Sequence, residues 1–215
     1  MTIFKRLVRI VPVLAIAASL AGCGINTIPT RDEQVKTAWG DVQNQYQRRA
    51  DLIPNLVATV KGYAAQEKDV LTAVTEARAS ATQVRVDAST ITNPAQFQQY
   101  AAAQDKLSGV LGRLMMIQEN YPDLKSNQNF LALQSQLEGT ENRITVSRRD
   151  YNEAVRDYNL EFRKFPNSFW ASTVHSGSKP MVMFQANAAA QAAPSVSFSP
   201  TTAPAVSTLP AAPAQ

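Results

Sequence analysis

The sequence predicts an all-α protein, an up-and-down bundle of about four long helices, preceded by a cleaved signal peptide and followed by a disordered tail. Three observations predict it. Apolar residues recur at helical spacing from about Arg31 to Phe165. In the last part of that stretch, Phe130, Leu137, Ile144, Tyr151, Tyr158 and Phe165 recur every seven residues without a miss. Helix-starting and helix-ending residues (Asp51, Asn93-Pro94, Tyr121-Pro122 and Pro166) fall between the periodic runs.

Taken in order, a first helix over roughly Arg31 to Arg49 presents Val35, Ala38, Trp39, Val42 and Tyr46 to the core. Asp51 has the chemistry of an N-cap, and Pro54 would sit in the first turn of a second helix, where its missing N–H costs little. Ile53, Val57, Val60, Ala64, Leu71, Val74, Ala77 and Ala81 mark the buried face of that second helix, to about Val86. The apolar phase 35, 39, 42, 46, 49, 53, 56 also permits one long helix kinked at Pro54; the capping signals favour a break at Ala50-Asp51. A third helix starts at Asn93-Pro94 and carries Phe97, Tyr100, Leu107, Leu111, Leu114 and Ile117 until Tyr121-Pro122 ends it. The heptad helix, about Lys125 to Phe165, would be roughly 60 Å long. A strict heptad keeps one seam turned to its partners, as in a coiled coil. Its second seam has a polar middle: Leu133, then Thr140/Glu141 and Ser147/Arg148, then Val155 and Phe162.

The two ends of the chain read differently. Lys5, Arg6 and Arg9 form a positive segment, Ile10 to Leu20 is apolar, and Leu20-Ala21-Gly22-Cys23 follows. A bilayer-spanning helix needs about 20 apolar residues, so residues 1–22 read as a signal peptide. Leu20, Ala21 and Gly22 resemble a bacterial lipobox, with Cys23 as the acylated residue. Cys23 is the only cysteine, so no disulfide is available, and acylation would cap a lone exported thiol. Each buried methylene contributes about 0.8 kcal/mol, so two or three palmitate-like chains hold where one would not. Gly24, where an inner-membrane retention signal would have Asp, tilts the expectation mildly towards the outer membrane. Residues 23–30 then serve as a tether, 31–166 as the bundle and 167–186 as a docking segment or linker. Residues 187–215 have no charged residue and five prolines, the composition of a disordered tail. Within that tail, Phe198 could dock as a short extended piece.

The chain has 21 basic and 17 acidic residues, but three basic ones precede Cys23, leaving 18 against 17, a balance of +1. The remaining charges are interleaved rather than clustered, which excludes nucleic acid as a partner.

The stretches RRADLIPNLVATVKGYAAQE (Arg48 to Glu67), VTEARA (Val74 to Ala79) and NFLALQSQLEGTENRITVSRRDYNEAVRDYNLEFRKFP (Asn129 to Pro166) closely resemble the LemA family. The resemblance covers most of Trp39 to Pro166. It implies a membrane-attached, LemA-like (bromodomain-like) bundle of four long helices whose biochemical role is not established. Two departures stand out. The family often has His where this chain has Gln66, and its FGF-like segment is replaced here by Ser172 to Lys179. The second departure points to a diverged C-terminal docking segment.

No residue pattern carries an active site. A zinc site wants three or four His, Cys or carboxylate ligands, and His175 and Cys23 are the only residues of the first two kinds. Neither metal nor cofactor is expected. His175-Ser176-Gly177-Ser178-Lys179 lacks a nucleophile elbow, follows the last helix and reads as exposed linker. Glu67 falls on the spacing 53, 60, 67, 74, 81, and Glu141 and Arg148 share the polar middle of the last helix. These three form an expected interior polar layer, with Glu67 or Glu141 pairing Arg148 or Arg78 to fix register. The expected function is non-enzymatic. The chain reads as an envelope lipoprotein of a Gram-negative-type bacterium, facing the periplasm and held to a membrane by its N-terminal lipid, with the bundle as scaffold or interaction module for an unidentified envelope protein. The alternatives are an accessory cell-envelope enzyme using interior carboxylates, and a peptidoglycan-contacting spacer.

Overall fold

The computed structural model describes residues 24–84, 87 and 89–185. The expected signal peptide over residues 1–22, with Leu20, Ala21 and Gly22, the expected acylation site Cys23, and the tail from 186 onward, with Phe198, lie outside the described residues. Residues up to Phe184 form one unit; Gln185 opens a second, which is otherwise undescribed.

The first helix, α1, runs unbroken from Thr27 to Tyr63. This corrects two expectations. The helix starts four residues before Arg31, inside the supposed tether, because Ile28 and Val35 are already buried. And it does not break at Ala50-Asp51. Pro54 cannot donate to the carbonyl four residues back, which belongs to Ala50. Arg78, from the neighbouring helix, donates its Nε–H to that carbonyl oxygen at 2.8 Å. With the orphaned acceptor satisfied, the uninterrupted apolar stripe through Arg49, Ile53 and Leu56 keeps the helix going. Asp51 is not a cap; it is exposed and accepts from Gln47 at 2.7 Å.

Helix α2 (Lys68–Gln83) follows a tight turn and buries Leu71, Val74, Ala77 and Ala81. It ends three residues short of Val86. A 3-10 turn at Thr90–Thr92 leads to α3 (Pro94–Met116). The Asn93 side chain accepts from the backbone N–H of Ala95 and Gln96, so this start agrees with the sequence reading. A second 3-10 turn (Ile117–Asn120) and the short α4 (Pro122–Lys125) reverse the chain. Helix α5 spans Gln128–Glu161, capped by Asn127, whose side chain accepts from Phe130 N–H at 2.9 Å. A short α6 (Asn167–Thr173) closes the helical part. Five of the six heptad residues are buried. Phe165 is not: α5 stops at Glu161, so the seam no longer applies to it, and it is 89% exposed.

Helices α1 and α5 form the main packed pair, and α2 lies against α3. The core has two clusters. One is aliphatic and gathers residues of α1 from Ile53 to Val60, α2, the second half of α3 and the start of α5. The other is aromatic and gathers Trp39, Tyr46, Phe97, Tyr100, Tyr151, Tyr158 and Phe184.

Candidate functional site: a buried arginine between the two cores

Arg49 lies where the two clusters meet, and it is 1% exposed. A buried guanidinium is costly unless its donors are used and its charge is balanced. Here Nη2 donates to the side-chain oxygen of Gln104 at 2.6 Å and to its backbone oxygen at 3.2 Å. Nη1 donates to Ser108 Oγ at 2.6 Å and to Glu141 Oε1 at 2.9 Å. Gln104, itself buried, passes a bond on to the Ala81 carbonyl at 3.2 Å. The guanidinium also lies over the Tyr46 ring, 5.1 Å from its centroid. One residue of α1 is thereby tied to α3 and α5 directly and to α2 through Gln104.

The expected polar layer is therefore corrected in membership. Glu141 belongs to it, but its partner is Arg49, not Arg148 or Arg78. Arg148 pairs instead with Asp105 at 3.1 Å and stacks on Phe184, 4.3 Å from the ring centroid. Arg78 serves the Ala50 carbonyl. Glu67 is outside the layer: it terminates the turn between α1 and α2 and accepts from the Tyr121 hydroxyl at 2.8 Å. A heptad position predicts burial along a continuous helix, and α1 ends at Tyr63, so the phase is lost before Glu67. Gln66, the departure from the family pattern, is exposed in the same turn.

Glu141 is held by a guanidinium and lies within reach of Ser108 Oγ at 3.4 Å. A groove of about 160 Å³ beside the layer is lined by Tyr46, Tyr100, Gln43, Gln47 and Gln104. Burial pushes the Tyr46 hydroxyl up to about 12, so near neutral pH it stays protonated and is no base. Among the described residues no group of His, Cys, Asp and Glu is arranged to hold a metal. His175 is not in open linker: its Nε2 is 2.8 Å from the Ile25 carbonyl oxygen.

A second set of residues was invisible to periodicity. Asn152 and Asn159 hold the extended segment 179–184 by its backbone. Asn152 accepts from Phe184 N–H at 2.8 Å and donates to its carbonyl at 3.0 Å. Asn159 does the same for Met181, both bonds at 2.9 Å. The Tyr151 hydroxyl donates to the Val182 carbonyl at 2.8 Å. The repeated Tyr-Asn pair at 151–152 and 158–159, one heptad apart, is the signal that could have revealed this clamp.

Fold and site together define a helical bundle in which Arg49 ties helices together and Asn152, Asn159 and Tyr151 hold a C-terminal strap, while Tyr46 Oη, Arg49 Nε and Trp39 Nε1 are buried without hydrogen-bond partners. The chain belongs to the LemA family, whose model matches residues 38–198. It is similar to magnetosome proteins MamQ 1 and MamQ 2 of Paramagnetospirillum magneticum, each 25% identical over 75% of this chain and 66% of the relative. It is also similar to protein LemA of Metamycoplasma hominis, 22% identical over 69% of this chain and 62% of that protein. The chain thus spans just under two thirds of the length of the curated relatives it matches. Membership supports a helical, membrane-associated protein of the cell envelope, in a family not known as one of enzymes. No helix among the described residues is long and apolar enough to cross a membrane.

Proposed function

We propose that this protein is a lipoprotein anchored through Cys23, facing the periplasm, most favourably from the outer membrane, and that its bundle is a non-enzymatic scaffold for another envelope protein. The observation that carries this reading is the Arg49 layer, in which both terminal guanidinium nitrogens are hydrogen-bonded across helices while Nε is buried without a partner. Glu141, the carboxylate of the polar middle, has a side chain 37% exposed and pairs with the buried Arg49 guanidinium. Glu67, the other carboxylate an acid–base mechanism would use, is bound to Tyr121 in a separate turn. A two-carboxylate reaction needs both groups on one substrate; here they serve different elements.

The test combines three measurements in cells. Cys23→Ser should abolish incorporation of labelled fatty acid; undiminished labelling would remove the anchor. Photo-crosslinkers on exposed helix faces, read by mass spectrometry, should trap a discrete envelope protein. Glu141→Gln should lower stability by circular dichroism yet still complement a deletion strain at permissive temperature. A fully stable Glu141→Gln protein that fails to complement would overturn the scaffold in favour of an enzyme.

A further inference from the structure

The described chain begins inside a small, unusual face. Gly24 is buried against Asn167 and Pro166, where any Cβ would collide with the Asn167 side chain. The next carbonyl, of Ile25, is bonded to His175. The residue before Gly24 is Cys23, one peptide link away, and consecutive Cα atoms are only about 3.8 Å apart. An anchor on Cys23 therefore leaves no slack: whatever surrounds Gly24 is held against whatever the anchor enters.

The segment that holds Gly24 and Ile25, Arg163 to Lys179, carries exposed apolar and basic side chains. Phe165 is 89% exposed, and Phe169 and Val174 are each 54% exposed. Phe169 packs edge-on against Trp170, ring centroids 5.2 Å apart. Arg163 and Lys179 are exposed in the same segment, and Lys164, also exposed, reaches Glu161 at 3.4 Å. The acidic group nearest in sequence, Glu161, is buried and turned to Asn167 and Lys164. Exposed aromatic side chains with a basic rim are poorly suited to water and well suited to the interface of an anionic bilayer, where rings sit at headgroup level and Lys and Arg reach the phosphates.

From these observations we propose that the Pro166 end of the bundle is a membrane-seating face, in which Phe165, Phe169 and Val174 insert into the bilayer that holds the anchor. The bundle stands on the membrane by this face instead of swinging on a leash. Its other end, with Tyr63, Met116 and Leu131 exposed, is thereby presented away from the lipid. The inference rests on the Cys23 anchor proposed above.

The test uses the full acylated chain in vesicles of phosphatidylethanolamine and phosphatidylglycerol. Cys23 is capped by its lipid, so single substitutions Phe165→Cys, Phe169→Cys and Leu131→Cys can each carry a nitroxide. Collision with oxygen relative to a water-soluble nickel chelate then reports depth. Labels at 165 and 169 should favour oxygen, and the label at 131 should favour nickel. In a Phe165→Ser, Phe169→Ser background, which removes one almost fully exposed ring and one half-exposed ring, a label on Val174→Cys should swing from oxygen to nickel while the protein stays vesicle-bound and keeps its helical circular dichroism. Nickel accessibility at 165 and 169 in protein that floats with the vesicles overturns the seating face and leaves the anchor standing. Exclusion of both reagents means that protein covers the face, and this too overturns it. Failure to float at all shows that the anchor reading has failed, and the seating face falls with it.

Discussion

The two halves of the bundle solve the same packing problem with different side chains. Where α1, α2, α3 and α5 run together, the core is aliphatic, with Ala64, Ala77 and Ala81 letting helices approach closely. Where the long pair α1 and α5 extends beyond α2, one wall is missing. There the core is aromatic: Trp39 is 5.8 Å from Phe97 and 5.3 Å from Tyr151, and Phe97 is 4.7 Å from Phe184. Rings bury more area per residue than aliphatic chains and fill space that a helix would otherwise occupy. The remaining gap is closed by the strap 179–184, held by Asn152, Asn159 and Tyr151. A bundle need not be uniform along its axis; local helix count decides which side chains the core requires.

Arg49 joins the two halves, so its loss should do most damage. Arg49→Ala would leave a cavity and strand the buried Gln104, while Glu141 could turn to solvent, and should cost about 2–5 kcal/mol in denaturant unfolding. Arg49→Met, which fills the space without a charge, should recover part of that loss. Equal midpoints for wild type and Arg49→Ala would show that the halves are not coupled through this residue.

Next in size, Phe184→Ala should cost about 3 kcal/mol, comparable to Leu114→Ala in the aliphatic half. The difference should lie in local opening. Only Phe184→Ala should speed protease cleavage near residues 175–185, because it loosens the strap while leaving the helices paired. Equal cleavage in both variants would mean that the strap is not an independent element.

The aromatic half should also set the alkaline limit. Burial raises Tyr46 from 10.0 to about 12, and raises Tyr100 and Tyr151 as well. Above about pH 10 the unfolded chain loses these protons first, so the folded state binds more protons and stability falls as pH rises. The stabilisation is whole below pH 10 and is lost on rising through 12. For Tyr46 alone this is worth roughly 3 kcal/mol. Unfolding followed together with phenolate absorbance should show the two transitions coinciding, and Tyr46→Phe should shift both.

The smallest of these effects tests the continuity of α1. Arg78→Ala leaves the Ala50 carbonyl without its donor and should cost about 1–2 kcal/mol. Pro54→Ala in the same background supplies a backbone N–H to that carbonyl and should restore most of the loss. If the double variant is no better than the single one, some other contact carries the helix past Pro54.

The start of α5, read near Lys125, lies at Gln128; the sequence alone determined the helical class, the start of α3 at Asn93 and the buried seam from Phe130 to Tyr158. These follow from local rules: a side chain reaching a backbone N–H two or three residues on, and a stripe that repeats with the helix turn. Glu141 was legible as a member of the polar middle for the same reason, although its side chain is 37% exposed and not interior. Its partner was not, because Arg49 lies 92 residues away in sequence and shared an apolar stripe that hid its charge. Only the tertiary structure could decide that Arg78 relieves Pro54, that Glu67 leaves the layer when α1 ends, and that Asn152 and Asn159 clamp a strap 22 to 32 residues later. Periodicity reports which face of a helix is buried. Which group satisfies a buried charge or an orphaned carbonyl depends on what the other elements bring there, and that is fixed only when they pack.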